Sequence, residues 1–498
     1  MDREYLIGLD IGTTNIKALV IDTKGRQAAC CRRPSPFTGW KGHQVYMENE
    51  LRENVFSLLA DSAAELRRNG GDPRRVRGIA AASMGEMGFP MGAEGALFPA
   101  VSWYDPCSEP FCEALRQRLG AEAQYEHLGQ RLLYIFSVSR LMWLKQDYPE
   151  IYDAMETWLC MADHAAWCLC GSRSMDLSLA ARTGMLDWRE KRWSDAVIAA
   201  AGLDREKLPA LCRSGDRLGR LSRAAAEATG LPEGIWVSAG GHDHVCESYA
   251  CGGGEPGSVM DSSGTTEALV IARDDPDLLS RAGRKGFNIG SHARPGMGYV
   301  MGGIPASGAS VDWYRRSFGD HPLRDDDRNG VIFLPHLRGS SSPARDLRSR
   351  GAFLGLTDRH GPEDMMRAVY EGLAFEVKAV AEEMADGAGT GSLVGVGGGY
   401  LNEAWAQMKA DVLETEIEVP ECREATAMGA AMMAGVGSGV YADAGEALVA
   451  CRRPGARYRP REERFAYYRE KYGIYRNVCD TLFGIHAALG ELSPEGGR

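Results

Sequence analysis

Leu9-Asp10-Ile11-Gly12-Thr13-Thr14-Asn15-Ile16-Lys17, near the amino terminus, sets the architecture of the chain. The apolar residues 7–10 read as one strand, Gly12-Thr13-Thr14 as a tight turn, and residues 16–21 as a second strand leaving it. Much later, Val259-Met260-Asp261-Ser262-Ser263-Gly264-Thr265-Thr266-Glu267-Ala268-Leu269-Val270-Ile271 has the same design. An Asp closes a strand, a Gly-Thr-Thr turn follows, and an apolar strand departs. Two such copies point to duplicated domains facing one another. A turn of Gly and Thr exposes backbone N–H groups and hydroxyls that receive phosphate oxygens. An Asp at the strand end beside it can hold a magnesium ion through water. The competing reading is an ordinary hairpin whose Asp and Thr side chains bond their own backbone. The second copy weighs against that, because two turns can grip a polyphosphate from opposite sides of a cleft.

Outward from these turns the pattern alternates. Residues 76–82 and 235–240 read as strands, and 365–384, 404–413 and 425–434 as helices. The class is therefore α/β. A length of 498 residues exceeds one compact core, so two domains are expected, 1–246 and 247–498, with a closing helix after Tyr458.

Composition narrows the function. A net charge of -11 argues against a nucleic-acid partner, and the scattered arginine pairs read as solvated faces. No signal peptide opens the chain, and no apolar run approaches the roughly 18 residues of a membrane span. The 13 cysteines are irregularly spaced and form no C-x-x-C pair, which supports reduced thiols in a cytoplasmic protein over a zinc site or disulfide framework.

Gly240-Gly241-His242-Asp243-His244 ends an apolar strand. Two histidines at i and i+2 share a strand face and can ligate a metal, but no third ligand is arranged to complete the site. Asp243, on the opposite face, can accept a proton from a substrate hydroxyl or orient it; the alternative is a helix-capping Asp. Gly395-Val396-Gly397-Gly398-Gly399 lacks the last glycine of a dinucleotide fingerprint, yet suits close approach of an adenosine. Neither a P-loop nor the D-F-G and H-R-D strings of protein kinases occur.

In this order the pieces resemble the FGGY family of carbohydrate kinases, over nearly the whole chain. Leu9 to Lys17 is similar to its first phosphate motif. Gly351-Ala352-Phe353-Leu354-Gly355-Leu356, followed by Asp364-Met365-Met366-Arg367-Ala368-Val369-Tyr370-Glu371, fits its carboxy-terminal signature. Gly397-Gly398-Gly399-Tyr400 and Glu424-Ala425-Thr426-Ala427-Met428-Gly429 look like its adenosine-binding end. The resemblance implies two RNase H-like domains, of the actin, hexokinase and Hsp70 ATPase superfamily, around an interdomain cleft. It implies ATP and magnesium as cofactors, a small sugar or polyol as substrate, and is compatible with a homodimer.

Carried over residue by residue, Asp243 is the catalytic base, and Asp10 and Asp243 place the magnesium. Gly12, Thr13, Thr14 and Lys17, with Gly264, Thr265 and Thr266, cradle phosphates. Gly308, Asp312, Gly398, Gly399 and Asn402 meet the nucleoside. Glu86, Trp103, Asp105 and His244 bind the sugar. The sequence departs from the family where Pro106-Cys107-Ser108 follows the W-x-D motif without an Arg, where His244 replaces a common Gln, and at Gly339-Ser340-Ser341-Ser342-Pro343. Most departures fall at the sugar end. A substrate carboxylate would meet Glu86 unfavourably, so a neutral ketose, pentulose first, or a polyol is expected. An actin- or Hsp70-like ATPase, or a non-catalytic sugar sensor, is the alternative on this fold.

Overall fold

The computed structural model describes residues 3–253, 256–323, 328–343, 346–387 and 391–492. The first sheet contains β1 (Tyr5–Ile11), β2 (Asn15–Asp22), β3 (Gln27–Pro34), β4 (Val76–Ser83), β5 (Arg217–Arg220) and β6 (Trp236–His242), in the order β5-β6-β4-β1-β2-β3. The second contains β7 (Val259–Ser263), β8 (Glu267–Arg273), β9 (Asn288–Ser291), β10 (Gly298–Ile304), β11 (Leu393–Val396), β12 (Ile417–Val419) and β13 (Ala456–Tyr458), in the order β9-β10-β8-β7-β11-β12-β13.

The centres of the two sheets match strand for strand. In the first, β3, β2 and β1 are antiparallel, and β4 and β6 continue in parallel. In the second, β10, β8 and β7 are antiparallel, and β11 and β12 continue in parallel. Each Gly-Thr-Thr turn joins the first two strands of its copy. The duplication is therefore one of topology as well as of letters.

Seven helices bear on the site: α1 (Glu48–Arg68), α2 (Asp243–Ala250), α3 (Gly308–Phe318), α4 (Pro362–Ala385), α5 (Glu403–Leu413), α6 (Ala425–Ser438) and α7 (Glu462–Leu492). Side chains alternate across a strand, and in β1 this sorts two cores. Tyr5, Ile7, Leu9 and Ile11 pack with Leu51, Val55, Leu58 and Leu59 of α1. Leu6 faces the other way, into a core with Val245 and Tyr249 of α2, Ala427, Met428 and Ala431 of α6, and Met260, Val270 and Val394 of the second sheet. Thus α2 and α6 lie between the sheets. The outer face of the second sheet, with Val259, Leu269 and Ile271, packs on α4 and α5.

Helix α2 runs through residue 246, and α6, although it follows all but the last of the second sheet's strands, packs on the first sheet. Glycines allow the approach. A Cβ on Gly8 would lie 1.8 Å from the Ala427 carbonyl oxygen, and one on Gly429 would lie 2.1 Å from that of Cys246.

Candidate active site

Alternation along β1 puts Asp10 on the face of Leu6 and Gly8, turned toward α2 and α6. Opposite it in the hairpin, Lys17 brings its Nζ to 3.7 Å from Asp10 and 2.6 Å from Glu424, the residue before α6. Burial pushes the Asp10 carboxyl up to about 7, with Asp243, Glu247 and Glu424 adding to the rise and Lys17 opposing it. Carboxylates from β1, α2 and the start of α6 therefore lie within electrostatic reach of one another, although among the described residues three of them do not come close enough to share one ion directly, so waters would complete its shell. An oxygen-only donor set of this kind fits a hard divalent cation such as magnesium. Thr13 and Thr14 stand exposed at the turn beside it, and the Trp103 indole N–H donates to Thr13 Oγ1 at 3.4 Å.

Asp243 is not at the tip of a strand, as the sequence suggests. Strand β6 ends at His242, whose N–H donates to Ser178 Oγ at 2.8 Å, and Asp243 is the first residue of α2. An acid in the first helical turn is favoured by the helix dipole. Consequently His242 and His244 do not share a strand face; their rings lie 5.7 Å apart. Among the described residues, neither belongs to a group of donors close enough to share an ion. Burial raises the Asp243 carboxyl, but His242, His244, the His244 N–H at 2.7 Å and Arg182 outweigh it and hold it below its ordinary value. Burial lowers His242 to about 4, so it is neutral at physiological pH. His244 is raised to about 9 because Asp243 and Glu247 overcome its burial, and it carries a charge there.

Glu86 has a partner that was not foreseen. Its Oε1 accepts from Arg182 Nε at 2.7 Å and from Arg182 Nη2, and its Oε2 from the Gly85 N–H at 3.1 Å. The charge argument against a substrate carboxylate therefore fails, since Arg182 already compensates Glu86. Buried Arg140 donates to the carbonyls of Glu86 at 3.4 Å, Ser102 at 3.0 Å and Trp103 at 3.5 Å, tying two expected sugar-binding segments together. Asp105 is engaged elsewhere. It accepts from the Cys107 N–H at 3.0 Å, capping its own turn, and meets His43 Nδ1 at 3.1 Å.

The second turn assembles the other end. Gly264 N–H donates to the Thr266 carbonyl at 2.9 Å, while Gly308 N–H and Ala309 N–H donate to the carbonyls of Gly264 and Thr265 at 2.9 and 3.1 Å. Gly397 and Gly399 press on β7: a Cβ would lie 2.5 Å from the Ser263 carbonyl oxygen and 2.3 Å from Ser263 Oγ respectively, whereas Gly398 is open. Gly264, Thr265, Thr266, Gly308, Gly398 and Gly399 are thus brought together. Asp312 sits exposed one turn into α3. Asn402 caps α5, accepting from the Trp405 N–H at 3.2 Å, so its side-chain oxygen is already used.

Models of the FGGY family of carbohydrate kinases match residues 5–248 as its N-terminal domain and 259–438 as its C-terminal domain. The chain belongs to the FGGY family of carbohydrate kinases. It is an ATP-dependent kinase that transfers phosphate to a sugar or polyol hydroxyl. The kinase is 26% identical to a xylulose kinase of Bacillus subtilis, covering 98% of this chain and 99% of that one. It is 26% identical to an L-fuculokinase of Escherichia coli, covering 89% and 94%. A xylulose kinase structure from Rhodospirillum rubrum superposes with a TM-score of 0.87 at 22% identity, covering 97% of this chain and 100% of that one. In this kinase no described helix is long and apolar enough to cross a membrane.

Proposed function

We propose that this kinase phosphorylates a primary hydroxyl of a pentulose-like ketose, with Asp243 as general base. The observation that carries the reading is the setting of Asp243, the first residue of α2, whose Oδ1 lies 3.3 Å from His242 Nε2 and 2.7 Å from the His244 N–H, groups that with Arg182 hold its carboxyl below the ordinary value. Asp243 accepts the hydroxyl proton as the substrate oxygen bonds to the γ-phosphorus, the bond to the β–γ bridging oxygen breaks, and ADP leaves. The transition state is loose, so positioning outweighs base strength and an acidic carboxylate suffices. Asp10 and Asp243, with Glu247 and Glu424 alongside, would hold magnesium, which when bound offsets charge on the phosphoryl oxygens. Thr13, Thr14, Thr265 and Thr266 offer hydroxyls to the phosphates. Gly308, Gly398 and Gly399 leave room for the nucleoside. Closure of the domains around both substrates excludes water that would otherwise take the phosphate.

The pentulose preference rests on the Bacillus subtilis relative, named for xylulose, and on Glu86, Arg182, Trp103 and His244 as a mixed set of donors, acceptors and an apolar wall. The unpaired thiols favour the reducing cytoplasm as the setting. The test is ATP consumption with magnesium across pentuloses, other ketoses, polyols and sugar acids, for the wild type and Asp243→Asn. Turnover on a pentulose is expected, with kcat falling on the order of 10²–10⁴ in the variant. Turnover confined to a sugar acid overturns the ketose assignment. Sugar-independent hydrolysis favours an ATPase that drives a partner, and an undiminished variant removes Asp243 as base.

A further inference from the structure

Beneath the second Gly-Thr-Thr turn lies a charged cluster that the reaction itself does not use. Lys409, on α5, is 1% exposed. Its Nζ is 2.9 Å from Asp261 Oδ2 and also bonds Glu267. The Tyr400 hydroxyl donates to the same Asp261 oxygen, and Ser307 Oγ donates to Glu267 Oε2 at 2.7 Å. The ammonium lies 4.5 Å from the Tyr400 ring centre and 4.4 Å from that of Trp405. Each partner belongs to a different segment of the proposed nucleotide end. Asp261 and Glu267 bracket Gly264-Thr265-Thr266, Ser307 precedes Gly308, and Tyr400 follows Gly398-Gly399.

A buried ion cluster is a poor source of net stability, since apolar side chains of similar volume often do as well or better. What it supplies here is direction. An ammonium has three donors and can hold separate acceptors at set angles. Burial and the neighbouring Asp261 push Glu267 up to about 8 despite Lys409.

We propose that Lys409 is a positioning residue for the nucleotide. It holds the second Gly-Thr-Thr turn, the start of α3 and the glycine turn before α5 in one register, so that all three backbone surfaces meet the same ATP. This rests on the assignment of those segments to ATP and adds the device that aligns them.

The test is calorimetric titration of the full-length protein with magnesium and ADP, alongside thermal melting. The variant Asp261→Asn/Glu267→Gln/Lys409→Met removes the charges together and leaves no buried ion unpaired. With a cooperative melt retained, it is expected to bind ADP about 10-fold more weakly, because the turns lose their preorganisation. A role confined to stability would lower the melting temperature and leave ADP affinity within about 2-fold of wild type, which overturns the proposal. Should that variant fail to fold, Ser307→Ala cuts the side-chain bond from Glu267 to the residue before α3 and strands no charge. It is expected to weaken ADP about 3-fold, and unchanged affinity again overturns the proposal. Gly398→Val, at an open position, separates the two layers of inference. If it weakens ADP while both other variants do not, Lys409 alone loses its role; if it leaves ADP untouched, the nucleotide assignment falls and Lys409 with it.

Discussion

Removing the guanidinium of Arg182 would leave Glu86 buried without its counter-ion. The two side chains are only 4% and 8% exposed, so water cannot take over. Breaking such a pair from one side typically costs roughly 3–5 kcal/mol. Arg182→Leu is therefore expected to lose stability of that order in urea titrations, and Glu86→Gln/Arg182→Leu to recover a large part of it. A single variant about as stable as the double one would mean that Glu86 relaxes to solvent. The sequence made Asp10 and Asp243 visible because each ends or follows an apolar strand beside glycines. It hid Arg182 and Lys409 because their partners are 96 and 142 residues away. Some signal was there: Arg182 is the lone charge after Leu177-Ser178-Leu179-Ala180-Ala181, and Lys409 follows Trp405 by one turn on an apolar face. Spacing mattered more than letters. Asp10 stands two residues before Gly12 but Asp261 three before Gly264, so alternation sends one toward the interdomain helices and the other outward to Lys409.

Helices with a one-sided apolar pattern are legible as elements: α4 and α5 lie where their apolar spacing puts them, and α7 fills the tail after Tyr458 whose composition predicts a closing helix. The contacts between them were not legible, and the junction of α4 with α7 shows why. Glu376 of α4 accepts from the Tyr475 hydroxyl of α7 and meets His336 Nε2 at 3.2 Å, while His336 Nδ1 bonds Ser349 Oγ at 2.7 Å. No local pattern announces a carboxylate that finds its partners in two distant segments. Burial raises the Glu376 carboxyl, yet His336, Ser341 and Tyr475 outweigh it and hold it below its ordinary value of 4.5. Folding therefore favours the ionised form. The contribution is whole above pH 4.5 and is lost as pH falls through the lowered value. Glu376→Gln should accordingly melt lower than wild type at pH 6, with the gap closing over the interval below pH 4.5. A gap that stays constant over that interval would show that Glu376 carries no pH-dependent share of stability.

The whole molecule is less divisible than its two sheets suggest. Helix α6 is apolar on every side, a pattern that predicts burial but names no face. Its place between the sheets depends on Gly8, Gly78 and Gly429, whose missing side chains admit a backbone that any Cβ would strike. The first sheet thus borrows its inner covering from the last third of the chain. Without α6, Leu6, Leu19 and Ile21 lose the partners that bury them. A fragment ending at residue 250 should then expose an apolar sheet face and fail to melt cooperatively by circular dichroism, although it contains β1 to β6, α1 and α2. Full-length protein should melt with both halves in one transition, since the core between the sheets draws on both. A stable fragment with a sharp transition of its own would place the cooperative boundary near residue 246 after all. The sharing also bears on catalysis. Asp10 comes from β1, Asp243 and Glu247 from α2, and Glu424 from the start of α6. A movement of α6 against the first sheet would alter the spacing of these carboxylates directly. The tight glycine contacts oppose that movement, so closure is expected to swing the second sheet about α2 and α6 while the carboxylate cluster keeps its shape.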